Sequence, residues 1–175
     1  MADLSLRPLA AAVRSSPRVL LYLFGSKDGL VRALLVRARS DELDLLTGMR
    51  QRSDDGHAAG LEDAGGEVWA WLAAEDHRAL LTLWVEAYAR SLINPDGPWA
   101  DFARTTVHDW LAVLADAQSP AERNTRYGLA QRTLVLAVLR GALLDLLATG
   151  DLDRITSAVR QQLQHLESTA SAIRG

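Results

Sequence analysis

Cysteine is absent from the sequence, so disulfides, thiolate nucleophiles and cysteine-ligated zinc are excluded. Strand signals are missing too: no sustained period-two alternation runs through the chain, and no tight turn joins two β-branched runs. Long apolar runs are lacking as well. Arg140 and Asp145 interrupt the longest candidate, which stays short of the roughly 18 to 20 residues that cross a bilayer, so no membrane partner is expected. The opening MADLSLRP has neither the basic start nor the long apolar stretch of a signal peptide, and the expected location is cytoplasmic. Lysine occurs once, as Lys27, inside Gly25-Ser26-Lys27-Asp28-Gly29 between two apolar runs.

Catalytic and metal-binding constellations are also missing, so the expectation is a non-enzyme without metal or cofactor. His57, His77, His108 and His165 form no His-x-x-x-His or His-x-x-Glu spacing that would set two ligands on one helical face. His108 and Asp109 are adjacent, so on a helix their side chains diverge by about 100° and cannot form a dyad. No glycine-rich phosphate loop appears. Glu86, four residues before Arg90, reads as half of an i,i+4 ion pair rather than as a buried acid.

What remains is an ordinary globular composition, 49% hydrophobic and 23% charged, in 175 residues. That length suits one domain with a core, or a small headpiece on a larger body. Charge divides along the chain. Residues 1–39 hold seven basic and two acidic side chains, a net +5, while the remainder holds 12 basic and 20 acidic, a net −8. A basic end suits a polyphosphate and an acidic body avoids one, although an arginine-rich solvated surface explains the numbers equally well.

Helix signals fill the chain and predict an all-α fold. Ser16-Pro17 places a cap before proline at the first helical position, and Ser26 caps a helix toward Leu46. Helices are expected over 5–12, 17–23 and 26–46. Residues 47–65 read as a polar, glycine-rich loop, followed by a short helix at 68–72. Asp76 is the expected cap of a helix to Ile93, and Asn94-Pro95-Asp96-Gly97-Pro98 ends it and opens the next, through Trp99 and Phe102 to Leu114. Ser119-Pro120-Ala121-Glu122 matches a capping box and predicts one helix to a glycine stop at Thr149-Gly150, with Asp151 capping the last.

The last two helices differ. From Leu134 to Leu147 apolar residues point nearly all round, so that helix must be covered on more than one side. The final helix carries Leu152, Ile155, Val159, Leu163, Leu166, Ala170 and Ile173 in a stripe about 80° wide, narrow like a bundle seam. Such a pair can bury one side in its own core and offer the other to a second copy, giving a homodimer, or lie wholly inside a monomer.

Ser5 to Leu35, SLRPLAAAVRSSPRVLLYLFGSKDGLVRALL, resembles the end of the DNA-binding headpiece of the TetR (tetracycline-repressor-like) family of transcriptional regulators. Ser-Pro, an aromatic, Phe-Gly-Ser-Lys and an acidic residue stand in the family's order and spacing. The Gly-Ala-Leu-Leu-Asp-Leu-Leu-Ala-Thr-Gly-Asp run is similar to the family's dimer-forming helix end, while the rest matches only in architecture. The resemblance implies a helix-turn-helix region over 1–35, with 5–12 the first helix, Arg14-Ser15-Ser16 the turn and 17–23 the recognition helix. A ligand-binding and dimerisation domain would follow over 36–175. It further implies that Ser16, Arg18 and Tyr22 face operator DNA, with Arg18 placed for a bidentate guanine contact. Lys27 would approach the phosphate backbone beside a helix N-terminus, and Leu20 and Phe24 would pack inward.

Departures from the pattern are specific. Leu21-Tyr22-Leu23 stands where an aromatic-aromatic-histidine triplet is usual, Arg14 replaces a commonly small residue, and Val19 a frequent threonine. The family's first helix, which completes the headpiece core, has no counterpart before Met1, so Met1 is expected to mark a start inside a longer coding region. The rival expectation is a headless ligand-binding and dimerising module.

In the body, Trp69, Trp71, Trp84, Tyr88, Trp99, Phe102 and Trp110 recur at helical spacing, where most aromatics are core. A subset, Trp84, Tyr88 and Trp110 with Tyr127 and Gln131, is the candidate lining for a small hydrophobic effector. The function expected is a one-component repressor whose operator affinity changes when that effector binds.

Overall fold

The computed structural model describes residues 16–30, 32–33, 36, 60–97 and 99–174, with side chains described to Leu166. The protein is all-α, and no strand occurs among the described residues. It divides into two compact units, Met1–Leu43 and Asp44–Gly175.

In the first unit, α1 spans Pro17–Phe24. Ser16 holds an extended backbone, and its Oγ accepts a hydrogen bond from the Val19 N–H at 3.3 Å, with proline at the first helical position. Gly25 then takes a positive φ of 72°, and Ser26 Oγ accepts from the Gly29 N–H at 2.9 Å to open a second helical segment at Lys27. A Cβ on Gly29 would stand 2.3 Å from the Phe24 carbonyl oxygen. Both glycines of the punctuation are therefore geometric requirements. The expected helix at 5–12, Arg14-Ser15 of the turn and most of 31–46 lie outside the described residues.

In the second unit, α2 spans Leu61–Ala73, a 3-10 turn Glu75–His77, α3 Arg78–Ile93, α4 Phe102–Asp116, α5 Pro120–Arg123, α6 Arg126–Thr149 and α7 Leu152–Arg174. Helix α6 packs against α2, α4, α5 and α7, while α2 also packs along α7 and α3 along α4. The core joins Val68 and Trp69 of α2, Leu81 of α3, Leu114 of α4, Val135, Leu139 and Leu143 of α6, and Ile155, Val159 and Leu163 of α7. The Trp69 indole N–H donates to Thr156 Oγ1 at 3.1 Å, so this tryptophan is core with its one polar atom satisfied across α2 and α7.

Several boundaries depart from the sequence expectation. The predicted loop over 47–65 is helical from Leu61, through Gly65-Gly66. Gly65 is buried where Leu163 of α7 comes close: a Cβ there would meet Leu163 Cδ2 at 2.7 Å, so the residue that weakens helix propensity is the one that lets α7 approach. Asp76 does not cap α3. The chain makes a 3-10 turn first, held by the His77 N–H on the Ala74 carbonyl and by His77 Nδ1, 2.8 Å from the Trp71 carbonyl oxygen, a bond that needs the proton on Nδ1. Trp99 precedes its helix rather than lying in it, because Asp101 adopts a left-handed φ of 62° and α4 begins at Phe102. The second N–H of α4, on Ala103, is satisfied by Ser91 Oγ of α3 at 3.1 Å.

The expected capping box does not close: Ser119 caps no backbone N–H with its side chain, its Oγ donating instead to Glu122 Oε2 at 3.1 Å, and the helix it opens is only the four-residue α5. The chain breaks at Asn124 and restarts because Thr125 serves both ends: its hydroxyl donates to the Glu122 carbonyl at 2.8 Å and accepts from the Gly128 N–H at 2.9 Å. Three further bonds clamp the break. Gln118, 5% exposed, donates to the Gly128 carbonyl at 2.9 Å, and Arg132 Nη1 donates to Gln118 Oε1 at 2.9 Å and to the Arg123 carbonyl at 2.7 Å. Thr125→Ala is expected to lower stability by about 1 kcal/mol in urea melts, and Thr125→Ser to restore most of it. At the far end the expected stop holds: Gly150 takes a φ of 70°, and Asp151 Oδ1 accepts from the Arg154 N–H at 3.2 Å.

Candidate functional site

Two groups of residues carry the functional reading, one in each unit. On α1, Arg18 and Tyr22 stand four residues apart on one exposed face, with Tyr22 86% exposed. Ser16 is exposed, but its oxygen is engaged as the helix cap. Lys27 is the first residue after the Ser26 cap and is half-buried. A cation there runs against the helix macrodipole, so the site gains from an anion close by. Leu20 is buried as expected. Phe24 is not: it is 39% exposed, because it ends α1 where Gly25 reverses the chain. Val19, Leu21 and Leu23 are exposed alongside it.

Of the five residues expected to line an effector site, Trp84 and Tyr88 are in ring contact among the described residues. Trp84 and Tyr88, one turn apart on α3, stack with ring centroids 5.0 Å apart and planes tilted by 34°. Trp110 packs against the same core from α4 but makes no ring contact or hydrogen bond with that pair among the described residues. Tyr127 is 37% exposed at the start of α6. Gln131 keeps a buried, unpartnered Oε1.

The structure adds Arg140 to the aromatic pair. Its Nη1 donates to the Tyr88 hydroxyl at 2.8 Å, and the guanidinium lies 6.0 Å from the Tyr88 ring centroid. Gln131 and Arg140 are nine residues apart on α6, two and a half turns, which sets them on opposite flanks about 13 Å apart along the axis. The site with joined contacts is therefore Trp84, Tyr88 and Arg140. In sequence Arg140 reads only as a charged break in an apolar helix. The signal lay there: a cation amid residues that need cover on several sides must itself be partly covered.

The Glu86–Arg90 pair expected from i,i+4 spacing forms, at 2.5 Å, on the same helix as the aromatic pair. Among the described residues no group of three or more His, Asp or Glu is gathered to hold a metal ion, and no helix is long and apolar enough to cross a membrane. Comparison with known proteins returns no match, neither to a family model, nor to a curated protein, nor to a solved structure.

Proposed function

We propose that the protein is a TetR-like one-component transcriptional regulator, a homodimer that binds operator DNA through its first unit and a small, largely apolar effector in its second. The observation that carries the reading is the headpiece punctuation. A capped α1, a left-handed Gly25 and a second cap at Ser26 bring Lys27 to a helix start while Arg18 and Tyr22 share an exposed face. Phosphate contact by Lys27 would fix position, and a base contact by Arg18 would supply preference.

The dimer part of the reading rests on α6. Its inner side is core, whereas Ala130, Leu134, Ala137, Gly141, Leu144 and Ala148 are all exposed on its outer side. Helix α7 spends Ile155, Val159, Leu163 and Leu166 within its own chain and exposes Ser157, Arg160, Gln161, Gln164 and His165. The side chains of Ala170 and Ile173 lie outside the described residues. A second copy would thus meet mainly α6.

A second reading, a ligand-binding and dimerising module without DNA binding, draws on one observation: Val19, Leu21, Leu23 and Phe24 give α1 an exposed surface poor in hydrogen-bonding groups. The test separates the two. Duplexes selected from a random library are titrated against the protein by fluorescence anisotropy at two salt concentrations. Lys27→Ala should weaken binding to every sequence and reduce the salt slope by about one, whereas Arg18→Ala should cost about 1–3 kcal/mol and relax preference at one base position. DNA binding that neither variant changes refutes the site assignment. No DNA affinity at either salt concentration favours the second reading.

A further inference from the structure

Arg140 is anomalous among the half-buried arginines of the second unit. Arg78 pairs with Glu75 at 3.1 Å, Arg90 with Glu86 at 2.5 Å, and Arg123 with Asp116 at 3.5 Å. Arg132 bonds two carbonyl oxygens, of Gln118 and Arg123. Arg140 alone among these five has as its hydrogen-bond partner a neutral phenol, Tyr88. A guanidinium nitrogen removed from water without an acceptor is costly, and proteins normally answer that cost with a carboxylate or carbonyl oxygens.

The way it is held matters more. Tyr88 takes Nη1, while Nε is buried and has no partner, as is also the case for Nε of Arg123 and Arg132; what is peculiar to Arg140 is that no carboxylate or carbonyl oxygen holds the rest of the group. The edge left unbonded is Nε with Nη2, whose two parallel N–H groups match the two oxygens of a carboxylate. Tyr88 fixes the guanidinium from one side, so the fork is oriented before anything binds. Beside it the Trp84–Tyr88 ring pair offers apolar surface. A single cation on Tyr88, rather than a cluster, suits a monoanion better than a phosphate.

The geometry points to an effector that is a monocarboxylate with an apolar or aromatic body, its carboxylate bonded to the Nε–Nη2 edge of Arg140 and its body against Trp84. This inference deepens the proposed effector site and rests on that site being Trp84–Tyr88–Arg140. Arg140 would then be a recognition residue and Tyr88 its positioning residue.

The experiment uses the full chain and three probe pairs: benzoate, 4-phenylbutyrate and octanoate, each beside its amide. Binding is followed by tryptophan fluorescence and by thermal shift. At least one acid should bind ten-fold or more tighter than its amide. Arg140→Met should bring that acid down to the level of the amide, Arg140→Lys should recover part of the difference, and Arg126→Gln, an exposed arginine on the same helix, should change nothing. Melting of the unliganded variants checks folding, and the comparison of acid with amide on the unaltered protein stands without any variant. Equal affinity for acids and amides overturns the carboxylate inference and leaves the apolar-effector site in place. An acid preference that survives in a folded Arg140→Met overturns it too. Binding of neither acids nor amides overturns both.

Discussion

A Gly128→Ala variant is expected to melt about 6–12 °C below the unaltered protein, a loss of about 3 kcal/mol from adding one methyl group. The reason is backbone, not side-chain, crowding. A Cβ at position 128 would stand 2.1 Å from the Glu122 carbonyl oxygen, 2.9 Å from its carbon and 3.1 Å from Gln118 Nε2. A side-chain neighbour rotates away, but the Glu122 carbonyl is held by the Thr125 hydroxyl, and Gly128's own carbonyl is held by Gln118. Relief would pull apart the bonds that close the break between α5 and α6 and leave buried polar groups unpaired. Gly141 is the matched control on the same helix. Nothing lies within 4 Å of a Cβ there, so Gly141→Ala should gain about 0.5–1 kcal/mol in the isolated chain. Differential scanning calorimetry of the two variants gives opposite signs if the break is as described. Equal, small shifts would contradict it.

The same break shows where the sequence is readable and where it is not. Ser16-Pro17, Ser26, Thr149-Gly150 and Asp151 all mark helix ends because a cap is local: the side-chain oxygen and the N–H it satisfies are three residues apart, and a left-handed glycine acts at its own position. The interruption at Asn124 is also local where Thr125 caps it, but it is clamped by Gln118 and Arg132, whose partners lie 14 residues apart or less on different elements, so only the folded chain pairs them. Gly65 misleads for a related reason. Its propensity cost is local and visible, whereas the approach of Leu163 from α7 that requires it is long-range. Fold class was legible because α6 and α7 state their faces in the order of their residues. Of the candidate site, Trp84 and Tyr88 were legible as neighbours one turn apart on one helix. Arg140 was not, since what marks it is a missing counter-ion, and a missing partner has no sequence signature. Gln131 lies on the flank of α6 opposite Arg140, a placement set by helix phase.

Helix phase also sets the other large effect expected. Leu139→Ala should cost about 3–4 kcal/mol, because Leu139 is 1% exposed in the core shared by α2, α4, α6 and α7, and truncation leaves a cavity that helices packed on several sides cannot collapse into. An apolar void of this kind stays dry, so a small apolar molecule such as benzene should restore part of the lost melting temperature by filling it. Leu144, five residues further on, points about 140° away and is 50% exposed. In a monomer its truncation should shift stability by less than about 0.5 kcal/mol. If the outer side of α6 meets a second copy, Leu144→Ala instead lowers stability by an amount that grows with protein concentration, and sedimentation velocity shows dimer giving way to monomer. Leu139→Ala should lower melting without that concentration dependence, since the methyl groups it removes face the chain's own core. The pair of variants therefore assigns the two sides of one helix separately: a large, concentration-independent loss from the inner leucine, and a loss from the outer leucine that exists only if there is a partner for it to touch.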